Sequence, residues 1–322
     1  MSGSITRLPF VSLNQDRSRG CLIGLAVGDA LGTTLEFKPP GTFKPITDMM
    51  GGGHFCLKKG YWTDDTSMAL CLAHSLLQCG KFNPRDQMDK YCLWMNNGYM
   101  SSIGVCFDVG VGVSSALRRY QKTGEPFAGS KARWSSGNGS IMRLAPVPIF
   151  FQRSLSDAVL YGGESSRTTH GSTLCIDACR YLSSILVHLI NGDRKDIFTE
   201  VAYIPETEEV MAIKSGSFLD KAYSDVTGSG YVIESLESAL WCFINTDCFE
   251  SCVLAAANLG NDADTTAAIA GQLAGAYYGH QAIRRDWLNV LYKHDEILDL
   301  ADNLYTFASR ENLNVKQPGG DL

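Results

Sequence analysis

The sequence predicts an all-α protein built as one helical domain. Three observations lead there. Apolar residues recur at three- and four-residue intervals in stretch after stretch, as one face of a helix requires. The strict apolar-polar alternation of a half-buried strand is scarce. Glycines also repeat every fourth residue inside apolar runs, at Gly24, Gly28 and Gly32 and again at Gly271 and Gly275. Glycine costs a helix about 1 kcal/mol relative to alanine, so its repeated use on one face points to a second helix lying very close.

Taken in order, residues 1–16 show no periodicity and read as a flexible N-terminal extension. The domain is expected over 17–311, with a flexible tail at 312–322. The first helix starts soon after Arg17 and carries Asp29 as an internal charge, read as a paired structural carboxylate. Glu36 falls at or just past the end of that helix. Residues 38–60 hold several chain breakers and read as a long surface connection in which His54 has no role. The turn Trp62-Thr63-Asp64-Asp65-Thr66 opens a helix with Ala69, Leu72, Ala73, Leu76 and Leu77 at helical spacing, ending near Gly80. Another follows, with Met88, Tyr91, Cys92 and Met95 on one face. Asp108, between Phe107 and Val109, reads as partly buried and as a cap for a helix beginning near Val113. Residues 156–190 are helical with a break at Thr169-His170-Gly171. Residues 191–230 are polar and are expected to pack outside with little chemistry. Residues 231–245 and 281–310 return to helical spacing.

Composition bounds the function. The 322 residues are 45% hydrophobic and 19% charged, ordinary values for a soluble globular protein. A net charge of -6 argues against nucleic acid as the main partner. Eleven scattered cysteines without a CxxC pair suggest a reducing, cytoplasmic setting. No stretch approaches the roughly 20 uncharged apolar residues of a membrane span, and the N-terminus lacks the apolar core of a signal peptide.

Two turns carry the chemistry. One holds Asp262, Asp264, Thr265 and Thr266 just before the apolar run of residues 267–278; the other is the turn from Thr63 to Thr66. Acids and hydroxyls at a helix start are ordinary caps. The same spacing also lets hard oxygens converge on a divalent cation, and two such turns facing each other would need cations between them. An all-oxygen ligand set favours magnesium or manganese over zinc. The loop Gly137-Asn138-Gly139-Ser140 can offer successive backbone N–H groups to an anion. His170 reads either as a satisfied core histidine or as a hydrogen-bond donor in a cleft.

The segments GLAVGDALGTTLEF, WTDDTSM, GVCFDVG, GNGSIMR, THG and GNDADTTAAIAGQLAGAYYG together, in this order, closely resemble the ADP-ribosylglycohydrolase family. The resemblance runs from about Arg19 to about Gly279. It implies an orthogonal all-α fold with a dinuclear metal site at the floor of a cleft, and hydrolysis of the bond between ADP-ribose and a modified protein side chain. Two Mg2+ ions, with Mn2+ as an alternative, are then expected on Thr63, Asp64, Asp65, Asp262, Asp264 and Thr265. Glu36, Asp108 and Asp264 become the candidate catalytic residues, with Asp108 placed to meet a leaving guanidinium. Gly137, Asn138, Gly139, Ser140 and His170 are expected around the diphosphate, with Phe107 and Tyr277 as aromatic walls, although a tyrosine in an apolar helix also reads as core. The expected partner is a protein ADP-ribosylated on arginine, and the chain is expected to be a monomer. A serine O-glycoside or an ADP-ribose ester is the second choice of substrate. A protein that binds ADP-ribose without turnover is the alternative outside the enzymes.

Overall fold

The computed structural model describes residues 11–314, and all named elements among them are helices; strand-like pairing is limited to isolated bridges such as Ser130 with His170. The expected all-α class is what the chain adopts. Residues 1–10 and 315–322 of the two expected flexible segments lie outside the described residues.

The centre of the fold is a pair of antiparallel helices, α1 (Leu13–Gly32) and α11 (Ala263–Tyr278). Their backbones touch. A Cβ placed on Gly20 would lie 2.3 Å from the carbonyl oxygen of Gly275, on Gly24 2.3 Å from that of Gly271, on Gly28 2.0 Å from that of Ala267, and on Gly32 2.4 Å from that of Ala263. The reverse also holds, with Gly271 and Gly275 facing the carbonyls of Gly24 and Gly20. The two glycine rows read from the sequence therefore face each other. Because the helices run antiparallel, this contact brings the C-terminal end of α1 to the N-terminal end of α11.

Helix α1 begins earlier than expected, inside the segment assigned to a flexible extension. Ser12 Oγ accepts from the Gln15 N–H, and Gln15 and Arg19 both donate to the carboxylate of Asp302. Those partners sit on α13 (His294–Asn314), a contact far away in sequence that fixes the first turn. At the other end, α13 continues past residue 311, where the tail was expected to start.

Around the central pair pack α2 (Asp64–Cys79), α5 (Pro146–Phe150), α7 (Thr173–Ile190), α9 (Val232–Ile244) and α10 (Phe249–Ala257), sharing one apolar core. A second, smaller core joins α2 to α3 (Pro84–Asn97) and α4 (Val111–Thr123) through Met68, Met88, Tyr91, Trp94 and Leu117. Helix α7 has the length and mean hydropathy of a membrane span, contrary to the expectation that no segment comes near one, but 78% of it is buried inside the protein. Residues 191–230 are also more than an outer wrapping. Phe198, Val210, Ile213 and Phe218 from this stretch enter the main core, burial that irregular spacing in a polar stretch does not announce.

Gly28→Ala is expected to destabilise the fold by about 3 kcal/mol, at the upper end of overpacking costs, because the new methyl meets backbone and not a movable side chain. Urea denaturation measures this, and an unchanged midpoint would mean that α1 and α11 do not touch.

Candidate active site

Three helix ends meet at one place: the C-terminal end of α1 with the turn after it, and the N-terminal ends of α2 and α11. Asp29 ties the first two together. Its Oδ1 accepts from the backbone N–H and hydroxyl of Thr63 at 2.8 and 2.9 Å, and its Oδ2 from those of Thr66 at 3.0 and 2.6 Å. A residue in the last turns of α1 thus caps α2, whose own N-cap Thr63 makes no such side-chain bond. Burial pushes the Asp29 carboxyl up to about 6, and the four hydrogen bonds oppose that shift.

The hydroxyl of Thr63 also lies 3.2 Å from Asp65 Oδ2 and 3.2 Å from Asp264 Oδ2, while Thr265 Oγ1 donates to Asp65 Oδ1 at 3.0 Å. One hydroxyl proton cannot serve three carboxylates. Among the described residues, Asp264 Oδ1 and Glu36 Oε2 are buried with no hydrogen-bond partner. Carboxylate oxygens of Asp29, Asp65 and Asp264 come within 4.8 Å of one another, and so do those of Glu36, Asp108 and Asp264. Burial first and neighbouring carboxylates second raise the acids: Asp64, Asp65 and Asp264 rise well above the usual range, Glu36 goes up to about 12 and Asp108 to about 7. Orphaned buried oxygens in a like-charged cluster are what a hard cation relieves. The cluster can hold metal, and its all-oxygen donor set fits magnesium or manganese.

Above the acids opens a cleft of about 870 Å³, whose floor includes Glu36, Asp64, Asp108, Asp262, Asp264 and Thr265. Its rim is backbone under constraint. Phe37, Asp108 and Asn261 all hold positive φ, at 60°, 56° and 54°, where residues other than glycine are uncommon. The Phe37 N–H donates to the Asn261 carbonyl at 2.6 Å and the Asn261 N–H to the Lys38 carbonyl at 2.8 Å, so the turns flanking α1 and α11 hold each other in place. Gly112, Gly137, His170 and Gly230 line both this cleft and a second cavity of about 610 Å³ beside Arg119, Trp134 and Tyr231, and so form the neck between the two.

Most residues predicted for the site are gathered here, and some are not. Thr63, Asp64, Asp65, Asp262, Asp264 and Thr265 surround the floor with Glu36 and Asp108. Asp262 Oδ2 accepts from Asn138 Nδ2 at 2.8 Å, so the Asn138 side chain braces an acid while Gly137 and Gly139 face the neck. Ser140 departs from expectation: its hydroxyl points into the core, 2.9 Å from the Ser166 hydroxyl. Tyr277 departs further. It sits thirteen residues along α11 from Asp264, about 20 Å away at 1.5 Å per residue, with its ring against Phe243, Tyr278 and Arg17. An apolar helix spans the whole core, and its far end cannot line the site at its near end. Phe107 stacks edge-on against Phe55, and Phe37 is the aromatic that reaches the cleft. His54 packs between Phe37 and Phe55, so it does contribute contacts.

Sequence reading missed Gly112, Gly230 and Asn261 on the lining; Asp29 is the paired structural carboxylate that was expected, and only its place beside Asp65 and Asp264 was not foreseen. Gly112 and Gly230 had only their glycine identity as a signal, and Asp29 its charge inside a buried helix.

The raised acids carry a prediction for the metal-free protein. A carboxyl whose folded pKa exceeds its unfolded value stabilises fully below the unfolded value, about 4. That contribution is lost as pH rises through the folded values, about 6 for Asp29 and about 7 for Asp108. In chelator the melting temperature should therefore fall across this window, and Mg2+ should flatten the fall. A pH-independent melting temperature in chelator would contradict the clustering.

Comparison with known proteins gives the same picture. The family model for ADP-ribosylglycohydrolase matches residues 12–313. ADP-ribosylarginine hydrolase Tri1 of Serratia proteamaculans (strain 568) is 41% identical over 297 residues, covering 92% of this chain and 81% of that protein. ADP-ribosyl-[dinitrogen reductase] glycohydrolase of Rhodospirillum rubrum is 34% identical over 280 residues, covering 86% of this chain and 90% of that protein. A solved structure described as an ADP-ribosylglycohydrolase-related protein complex superposes with a TM-score of 0.80 at 39% identity, covering 92% of this chain and 99% of its own. With a family match over nearly its whole length and relatives this similar, the chain belongs to the ADP-ribosylglycohydrolase family.

Proposed function

We propose that the protein is a magnesium-dependent hydrolase that releases ADP-ribose from modified arginine side chains of proteins. The observation that carries this reading is the order of features along the cleft: an acidic floor with orphaned carboxylate oxygens, a glycine-lined neck, then a second cavity with aromatic and cationic residues. The ribose bearing the scissile bond would lie on the floor, the diphosphate in the neck and the adenosine beyond. The names of the relatives from Serratia proteamaculans and Rhodospirillum rubrum support the substrate class.

Thr63, Asp64, Asp65, Asp262, Asp264 and Thr265 would hold two Mg2+ ions, which supply charge to grip the ribose hydroxyls and to make a bound water more acidic. The remaining chemistry belongs to the chain. Glu36, buried with one oxygen unpaired among the described residues, is the group placed to move a proton at the reacting end. Asp108, held at positive φ on the rim, offers its carboxylate to a leaving guanidinium. Both acids favour the positive charge that develops on the sugar as the bond breaks. The Gly137 and Asn138 N–H groups already donate to the Ser135 and Gly230 carbonyls; in the neck it is the first N–H groups of α4, at Val111 and Gly112, and His170 that would hold an anion without adding a positive side chain of their own.

The test is ADP-ribose release from matched arginine-linked and serine-linked peptides, each with Mg2+ and with chelator. Release from the arginine conjugate alone, lost in chelator, is expected. Release from serine alone would remove the role given to Asp108, and ADP-ribose binding without any release would make the protein a binder. Asp264→Asn is expected to lower turnover on the order of 100-fold or more, since even outer-shell changes at metal sites cost 10- to 100-fold, with the melting temperature in chelator not lowered. An unchanged rate would remove the metal assignment.

A further inference from the structure

We infer that Arg143 and Thr169 act on the cleft through His170, fixing its imidazole as the tautomer that carries the proton on Nε2 and presents it to an anion in the neck. The ligand half of this inference rests on the ADP-ribose reading above; the tautomer half does not.

Arg143 is fully buried at 0% exposure, and among the described residues its guanidinium meets neutral acceptors in place of a carboxylate. One terminal nitrogen donates to the Gly139 carbonyl at 2.6 Å, the other to Thr169 Oγ1 at 2.7 Å, and the guanidinium carbon stands 4.7 Å from the centre of the Tyr91 ring. A guanidinium only donates, so Thr169 Oγ1 is an acceptor in that bond. The same oxygen lies 2.9 Å from His170 Nδ1, and these are its two hydrogen-bond partners among the described residues.

Two arrangements are possible. If Nδ1 carried the proton, Thr169 Oγ1 would accept twice and its own hydroxyl proton would be buried without an acceptor, at a cost comparable to a lost hydrogen bond. If the hydroxyl donates to Nδ1, Thr169 Oγ1 accepts once and donates once, and the proton of the neutral imidazole must sit on Nε2. That nitrogen faces the glycines of the neck: a Cβ on Gly112 would come within 3.0 Å of it, and one on Gly139 within 3.2 Å. The ring itself stays neutral. Burial, with the Arg143 charge behind it, takes His170 down to about 3. The main chain of His170 is held as well, its N–H donating to the Ser166 carbonyl at 2.7 Å and its carbonyl accepting from the Ser166 hydroxyl at 2.8 Å. The result is a rigid neutral donor whose direction is set by a charge that never touches the ligand.

Imidazole nitrogen-15 NMR on the full chain reads the tautomer directly, and calorimetry with Mg2+ reads ADP-ribose affinity. The wild type should show His170 protonated at Nε2. Thr169→Val should let the proton redistribute toward Nδ1 and weaken ADP-ribose binding roughly 3- to 10-fold, the scale of a compromised hydrogen bond to an anion. Thr169→Ser, which keeps the hydroxyl, should restore both. The wild-type spectrum needs no variant, so failure of Thr169→Val to fold would leave the tautomer still decided. An Nδ1-protonated wild type, or a Thr169→Val protein with unchanged spectrum and affinity, would overturn the inference. An Nε2-protonated wild type that binds no ADP-ribose would overturn the ligand half together with the proposed function.

Discussion

The contact between the backbones of α1 and α11 is the constraint that the rest of the structure depends on. Side-chain packing holds helices 8–10 Å apart and leaves rotamers to absorb error. Here glycines remove the side chains, and carbonyl oxygens sit where a Cβ would be. The distance between Glu36, just beyond α1, and Asp264, in the first turn of α11, is therefore set by main chain against main chain. Asp29 extends the same rigidity to α2 by capping it from inside α1. Asp29, Glu36, Asp65, Asp108 and Asp264 are held together by main-chain packing and hydrogen bonds despite their mutual repulsion.

Charge is distributed unevenly along the cleft. The floor concentrates carboxylates, several with nothing to neutralise them among the described residues, and the neck a few residues away has glycines and a neutral imidazole. The buried cation nearest the neck, Arg143, stands behind Thr169 and does not line the cavity. A net charge of -6 says little about such a site, because a ligand meets negative charge at the floor and a neutral surface at the neck.

How much of this was legible in the sequence depends on whether a feature is local. The helix starting at Asp64 could be read from Thr63 and the apolar period behind it, and the glycine rows announced a close neighbour without naming it. The six acid and hydroxyl residues expected to hold metal could be picked out because they lie in two compact turns, and the fold brings those turns together. Tyr277 was misplaced because sequence proximity to Asp264 hides the length of a helix. Ser140 was misplaced because a glycine-rich loop does not reveal which way its one hydroxyl turns. The first turn of α1 was missed because its anchor, Asp302, is on the last helix. Arg143 and Thr169 could be seen as residues of two motifs, but nothing in one dimension shows that the motifs touch.

The glycine ladder also determines where the chain can change length. One residue inserted between Gly20 and Gly24 would rotate the rest of α1 by about 100° around the helix axis. Every later glycine would leave the seam and a side chain would take its place, while Asp29 and Glu36 swung away from Thr63 and Asp264. No neighbouring loop can absorb such a shift, because the opposing row on α11 is itself backbone. Insertions and deletions can be accommodated only in segments outside this register, so the spacing of these residues is under tighter restraint than the identity of most residues between them.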